Sequence, residues 1–212
     1  MSDLYDAILK GRAPAAEQAA LRALEAGEAP LELLQRDMVP AMDEVGRRFE
    51  CQDYFVPELL LAARAMKAAL APMRPLLAAN GAQPAGRVVI GTVMGDLHDI
   101  GKNVVGYMLE GAGFEVTDLG VDVPPEAFVD AVRIRRPDVV CLSALLTVTM
   151  PAMRATIQAL AAAGLRDQVK VMVGGAPVTQ AFAAEIGADG HADHAAAAVT
   201  LARRLLAPLA QV

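Results

Sequence analysis

The chain has 212 residues, a formal net charge of −6, and 55% hydrophobic against 21% charged residues. That balance suits a globular protein with one large core or two modest ones and excludes a disordered or fibrous chain. The acidic excess, with no basic run, offers no face for a phosphate backbone, so nucleic acid is not an expected partner. The first residues, MSDLYDAILKGR, contain no apolar core of signal-peptide length, and no run of about 18 apolar residues follows. No membrane segment is expected, and the chain reads as cytoplasmic. Cys51 and Cys141 have no Cys or His nearby at zinc-site spacing, so both read as reduced thiols. Cys141, within Val139-Val140-Cys141-Leu142, reads as a small buried hydrophobe.

From Leu4 to about Leu77 the apolar residues recur at helical spacing, with no strand-like alternation. Pro14, Pro30, Pro40, Pro57 and Pro72 divide this half into helical segments near 4–10, 14–26, 30–49 and 56–70, with a short tail. Several of these prolines suit a first helical turn, where the missing N–H costs little. A four-helix bundle over residues 1–79 buries such stripes economically. Residues 80–86, Asn-Gly-Ala-Gln-Pro-Ala-Gly, carry no apolar stripe and read as a linker.

Beyond the linker, over residues 87–212, strand and helix patterns alternate. Short apolar runs at 88–94, 115–119, 139–143 and 169–173 are separated by helical segments of roughly 10 to 15 residues. A fifth strand near 189–191 and a helix over 195–206 complete the pattern. It predicts a flavodoxin-like, Rossmann-like doubly wound parallel sheet with helices on both faces. Ligands bind beyond the carboxyl ends of such strands, so the loops after Met94, Ser143 and Val173 should converge on one site.

The first of those loops reads Gly95-Asp96-Leu97-His98-Asp99-Ile100-Gly101-Lys102-Asn103. A histidine on a loop past a strand end can present a ring nitrogen to a metal. Asp96, two residues earlier, is placed to accept the other ring N–H, which fixes the tautomer and makes the coordinating nitrogen more basic. Gly101 leaves room for a bulky ligand near the start of the helix. The pattern Asp-x-His-x-x-Gly is followed, after residues 102–142, by Ser143-Ala144-Leu145 and, after residues 146–173, by Gly174-Gly175.

These three motifs and their separations resemble the cobalamin-binding domain shared by methionine synthase and the corrinoid proteins of methyltransferase systems. The resemblance implies a cobalamin bound base-off, its own benzimidazole displaced and His98 taking its place as the lower cobalt ligand. It places Asp96, Asp99, Ile100, Gly101, Ser143, Leu145, Thr147, Thr149, Gly174 and Gly175 around the cofactor. Ser143, Leu145 and the two glycines would line a slot for the displaced nucleotide tail, and Thr147 would lie near the corrin edge. Methionine synthase typically has serine where this chain has Thr149. Either hydroxyl can bond the aspartate, so a His98, Asp96, Thr149 triad survives.

The helical half also resembles the family's cap, through Val45-Gly46, Phe49, Tyr54 to Leu59 and Ala63 to Met66. Phe55 and Leu59 would roof the methyl position. The function implied is that of a methyl carrier alternating between methylcobalamin and cob(I)alamin, with protonation through Asp96 following the change in cobalt coordination. Its partners would be a donor-specific methyltransferase, an acceptor methyltransferase serving tetrahydrofolate, coenzyme M or homocysteine, and a reductive activase. Motion about residues 80–86 would uncover the methyl group. Other classes that use the same sheet domain are a cobalamin-dependent sensor and the small subunit of a cobalamin-dependent mutase. The first usually carries a basic recognition helix, absent here, and the second has no need of a roofing bundle.

His191 and His194 read as a solvated surface pair without a third metal ligand, with His191 flanking the tail. The ten methionines read as core filler. No Gly-x-Gly-x-x-Gly supports a dinucleotide site, and no side-chain constellation suggests hydrolysis.

Overall fold

The computed structural model describes residues 2–79 and 83–207. Of the expected linker, residues 80–82 lie outside the described residues. The chain divides into two compact units, residues 1–85 with 107–114, and residues 86–106 with 115–212.

The first unit is helical. It contains α1 (Asp3–Leu9), α2 (Ala13–Glu25), α3 (Pro30–Leu33), α4 (Val39–Glu50) and α5 (Val56–Ala79). Ser2 caps α1 by accepting the Tyr5 N–H, and prolines stand in the first turns of α2, α3 and α4. Two departures from the expected segments trace to proline. Between α3 and α4 the helix widens into a π turn, Leu34–Met38, in which the Val39 N–H reaches back five residues to the Leu34 carbonyl. Pro40 has no N–H for the carbonyl four residues before it, and the wider turn lies just ahead of it. At the other departure, Pro72 does not end α5, which runs through both Pro72 and Pro75. Ala62, Ala65, Met66, Ala69 and Met73 are all buried along it, so tertiary burial outweighs a local penalty of about 3 kcal/mol per interior proline. Alanines on α2 (Ala16, Ala19, Ala20) and on α5 give the bundle close-packed faces, and Met38, Met42, Met66 and Met73 fill its core.

The second unit holds a five-stranded, wholly parallel sheet in the order β2-β1-β3-β4-β5. Its strands are β1 (Arg87–Thr92), β2 (Glu115–Asp118), β3 (Val139–Ser143), β4 (Lys170–Gly174) and β5 (Gly190–Ala192). The helices are α6 (Ile100–Gly111), whose residues from Tyr107 onward belong to the first unit, α7 (Pro125–Arg135), α8 (Met150–Ala162), α9 (Gln180–Glu185) and α10 (Ala195–Leu206). Register sorts the side chains by face. Val89, Val140, Leu142, Val171 and Val173 join Phe128 of α7 and Met153, Ile157 and Leu160 of α8 in one apolar core. Ile90, Cys141, Met172 and Gly190 form the opposite row, where Gly190 lies against Leu201 of α10. Burial pushes the Cys141 thiol up to about 12, while Cys51 is exposed. Among the described residues no helix is long and apolar enough to cross a membrane.

Gly91 shows how tightly the first core is packed. A β-carbon there would meet Phe128 Cζ at 2.7 Å, and Phe128 is fully buried. Gly91→Ala should therefore destabilise the protein by about 1–3 kcal/mol, measured by chemical denaturation. An unchanged midpoint would mean that the ring has room to move.

Candidate functional site

The site begins where β1 ends. Val93 forms a single parallel bridge with Val123, and Gly95, at φ +83°, turns the chain so that the side chain of Asp96 is buried completely. There the carboxylate meets five donors from two loops. Oδ1 accepts from His98 Nδ1 at 2.7 Å and from the His98 backbone N–H at 3.1 Å. Oδ2 accepts from Leu145 N–H at 2.8 Å, Leu146 N–H at 3.3 Å and the Thr149 hydroxyl at 2.7 Å. Burial alone would raise the Asp96 pKa. The Thr149, Leu145 and His98 donors outweigh it and hold the carboxyl well below the usual range.

Thr149 stands at the N-cap of α8 yet makes no capping bond. Its hydroxyl lies instead between Asp96 Oδ2 at 2.7 Å and the Leu146 carbonyl at 2.8 Å. Thr92 Oγ1, fully buried in β1, donates to the His98 carbonyl at 2.8 Å, so the histidine is held at both its backbone and its ring. With Nδ1 on Asp96, the Nε2 of a side chain 50% exposed has no partner among the described residues. Around it Met94, Leu97, Ile100, Leu145, Leu146 and Val148 are all exposed, a concentration of apolar surface at one end of the sheet that marks a binding face.

The remaining strand-end loop is joined through backbone. Ala144 N–H donates to Gly174 O at 3.2 Å. Gly175, at φ +128°, leaves no space for a β-carbon against the Ala144 carbonyl. The structure thus brings Asp96, His98, Ser143, Leu145, Thr149, Gly174 and Gly175 together at the carboxyl ends of adjacent strands. Asp99 and Thr147 lie exposed on the same loops, and Ile100 and Gly101 lie exposed in the first turn of α6.

Two expectations change. Phe55 is 61% exposed, but Leu59 is 1% exposed and belongs to the bundle core, because it follows at helical spacing on the inward stripe of α5. It is not available as a roof. His191 and His194 are not a solvated pair. His191 lies in β5 with its side chain 8% exposed, Nδ1 at 3.2 Å from Asp193 Oδ1 and Nε2 without a partner among the described residues. Its register with Val173 puts it on the face away from α10. His194 caps α10, its Nδ1 accepting the Ala197 N–H at 3.2 Å. The sequence reading also missed Thr92, the Leu146 N–H and the apolar rim. Only the rim had left a signal, as large apolar residues in loops where polar ones are usual.

The B12 binding domain family matches residues 86–200, and a second B12 binding domain family matches residues 2–72. The chain is 46% identical over 180 residues to the dimethylamine corrinoid protein of Methanosarcina barkeri, covering 84% of each. It is 45% identical over 193 residues to the trimethylamine corrinoid protein of the same organism, covering 90% of this chain and 89% of that one. The chain belongs to the corrinoid proteins. The same fold occurs in the methanol:cobalamin methyltransferase complex MtaBC of M. barkeri, with a TM-score of 0.87 and 30% identity over 98% of this chain and 79% of that one.

The residues present fit a corrinoid. No group of three or more His, Cys, Asp or Glu among the described residues could hold a bare metal ion. A single histidine with its free nitrogen on an apolar rim instead suits a metal already chelated by a flat, largely apolar macrocycle.

Two predictions test the corrinoid protein's site without cofactor. Gly175→Ala should cost several kcal/mol, because it adds a clash with backbone at a positive φ, read as a lowered denaturation midpoint. Asp96→Asn should lower the melting temperature at pH 7. The folded pKa of Asp96 is depressed, so its ionised form adds stability that is full above the unfolded value and is lost as pH falls towards the folded one. The gap between wild type and Asp96→Asn should therefore narrow below about pH 4, by up to about 1.4 kcal/mol per pH unit. A gap constant to pH 3 would contradict the bonding described for Asp96.

Proposed function

We propose that this corrinoid protein carries methyl groups between two methyltransferases on a cobalamin held base-off, with Nε2 of His98 as the lower cobalt ligand. The observation carrying this reading is the 2.7 Å bond from His98 Nδ1 to a buried, ionised Asp96. It fixes the proton on Nδ1 and leaves the lone pair on Nε2, the tautomer a metal ligand needs. The carboxylate also makes that lone pair more basic. Bound there, cobalamin supplies a cobalt centre that takes up a methyl group and gives it away.

The chain's own residues do the rest. The exposed side chains of Met94, Leu97, Ile100, Leu145, Leu146 and Val148 would exclude water from the bound cofactor. Ser143, Leu145, Gly174 and Gly175 would border the nucleotide tail, with no side chain on the glycines to obstruct it. Thr147 and Asp99 lie on loops, and Gly101 in the first turn of α6, that would meet the corrin edge, and Phe55 of the helical unit is exposed. The five donors on Asp96 hold its carboxylate ionised, so Asp96 keeps the His98 ring oriented as a charged acceptor and is not itself the site of protonation.

The partners proposed are a donor-specific methyltransferase, an acceptor methyltransferase and a reductive activase, all in the cytoplasm. No observation favours a sensor or a mutase subunit.

The test is electron paramagnetic resonance of the cobalt(II) form after reconstitution with hydroxocobalamin. Wild type should show splitting from one histidine nitrogen, and His98→Ala should lose it while still binding corrinoid. A wild type that keeps the cofactor's own base on cobalt would refute the ligation.

A further inference from the structure

We propose that Asp122 is a positioning residue for the cobalt ligand, fixing the loop that carries His98 from a connection on the far side of β1. The inference rests on the His98 ligation proposed above and adds a residue that neither the motif nor the ligand triad contains.

Asp122 lies in the connection between β2 and α7, at φ +52°. A residue other than glycine adopts that left-handed conformation at a cost, and aspartate is among the few that tolerate it. Here the conformation lets one residue make two bonds to the start of the ligand loop. Asp122 Oδ1 accepts the Gly95 N–H at 2.7 Å, and the Asp122 N–H donates to the Asp96 carbonyl at 2.9 Å. The next residue continues the brace, with the Val123 N–H bonded to the Thr92 carbonyl at 3.0 Å.

The geometry has a direct consequence for His98. Gly95 and Asp122 both have positive φ and are joined, so the turn that buries Asp96 is closed by a side chain from another loop. Without that bond Gly95 can relax, and the Asp96 main chain is held from one side only. The Asp96 carboxylate is what fixes the His98 ring, so loosening its backbone lets the ring swing. The Thr92 hydroxyl on the His98 carbonyl holds the backbone of the histidine but not the angle of its ring. A strained residue kept at a site by bonds that order a functional loop is the usual setting for stored backbone strain. Asp122 is exposed and is not among the buried residues, so its replacement leaves the packing intact.

The test compares wild type, Asp122→Ala and Asp122→Asn, each reconstituted with hydroxocobalamin and reduced to cobalt(II). The ratio of histidine-ligated to unligated signal is read at a pH where the wild type is half ligated. In the apo proteins, hydrogen exchange of the Gly95 amide is followed by NMR. Asp122→Ala should lower the ligated ratio roughly tenfold, the scale of losing a hydrogen bond to a charged group. It should also speed Gly95 exchange and bind as much corrinoid as wild type. Asp122→Asn should restore both readouts, because its side-chain oxygen accepts the same N–H and asparagine tolerates the same φ. If Gly95 exchanges faster in Asp122→Ala while the ligated ratio stays at the wild-type value, Asp122 only braces a loop and the inference is overturned. An unchanged Gly95 exchange overturns it as well. A wild type without nitrogen splitting removes the ligation itself, a failure distinct from the other two because it appears before any variant is compared.

Discussion

The site depends on one buried charge. An ionised carboxylate with no exposed surface is tolerable inside a protein only when donors replace the water it has lost. Asp96 has about as many donors as its oxygens can use, and they come from its own loop and from the segment 145–149. Neither loop can move without leaving the charge short of partners, so the arrangement behaves as a unit. The His98 ring is its movable outer member and inherits its orientation from the part that cannot relax.

That requirement explains the role of the sheet. In the order β2-β1-β3-β4-β5, the chain leaves β1 in one direction and β3 in the other, and the loops diverge where the two strands lie side by side. A crevice opens at such a point. The in-register pair Thr92 and Ser143 sets the two loops at the same height, one carrying Asp96 and the other delivering the Leu145 amide and the Thr149 hydroxyl. The glycine pair at the end of β4 lets its loop lie directly on the Ala144 backbone.

Much of this was legible in the sequence. Alternating apolar runs predicted the parallel sheet, and Asp96, His98 and Thr149 were identified from residue chemistry and family resemblance together. What escaped had physical reasons. Helix-breaking at Pro72 was a local expectation that burial along α5 overrode. Phe55 stands just ahead of α5 and Leu59 lies inside it, and only packing decides that the first is exposed and the second buried. The strand near 189–191 and the helix after it were legible, but the solvated reading of His191 and His194 missed that the strand buries one ring and the cap of α10 uses the other. Asp122 and Thr92 act through backbone atoms of other segments, contacts that no spacing rule within one motif can reveal.

The bond between Thr149 and Asp96 joins positions 53 residues apart in sequence, and the Leu145 bond spans nearly as far. No local fragment of the chain contains the ligand site, which comes into existence only when β1 and β3 have paired. Pairing of strands so distant is a late and costly step in folding. A cofactor that recognises the finished loops would bind the native state alone and stabilise it by mass action. The colour of a bound corrinoid would then report that the sheet has closed, and chains halted midway in folding would stay colourless.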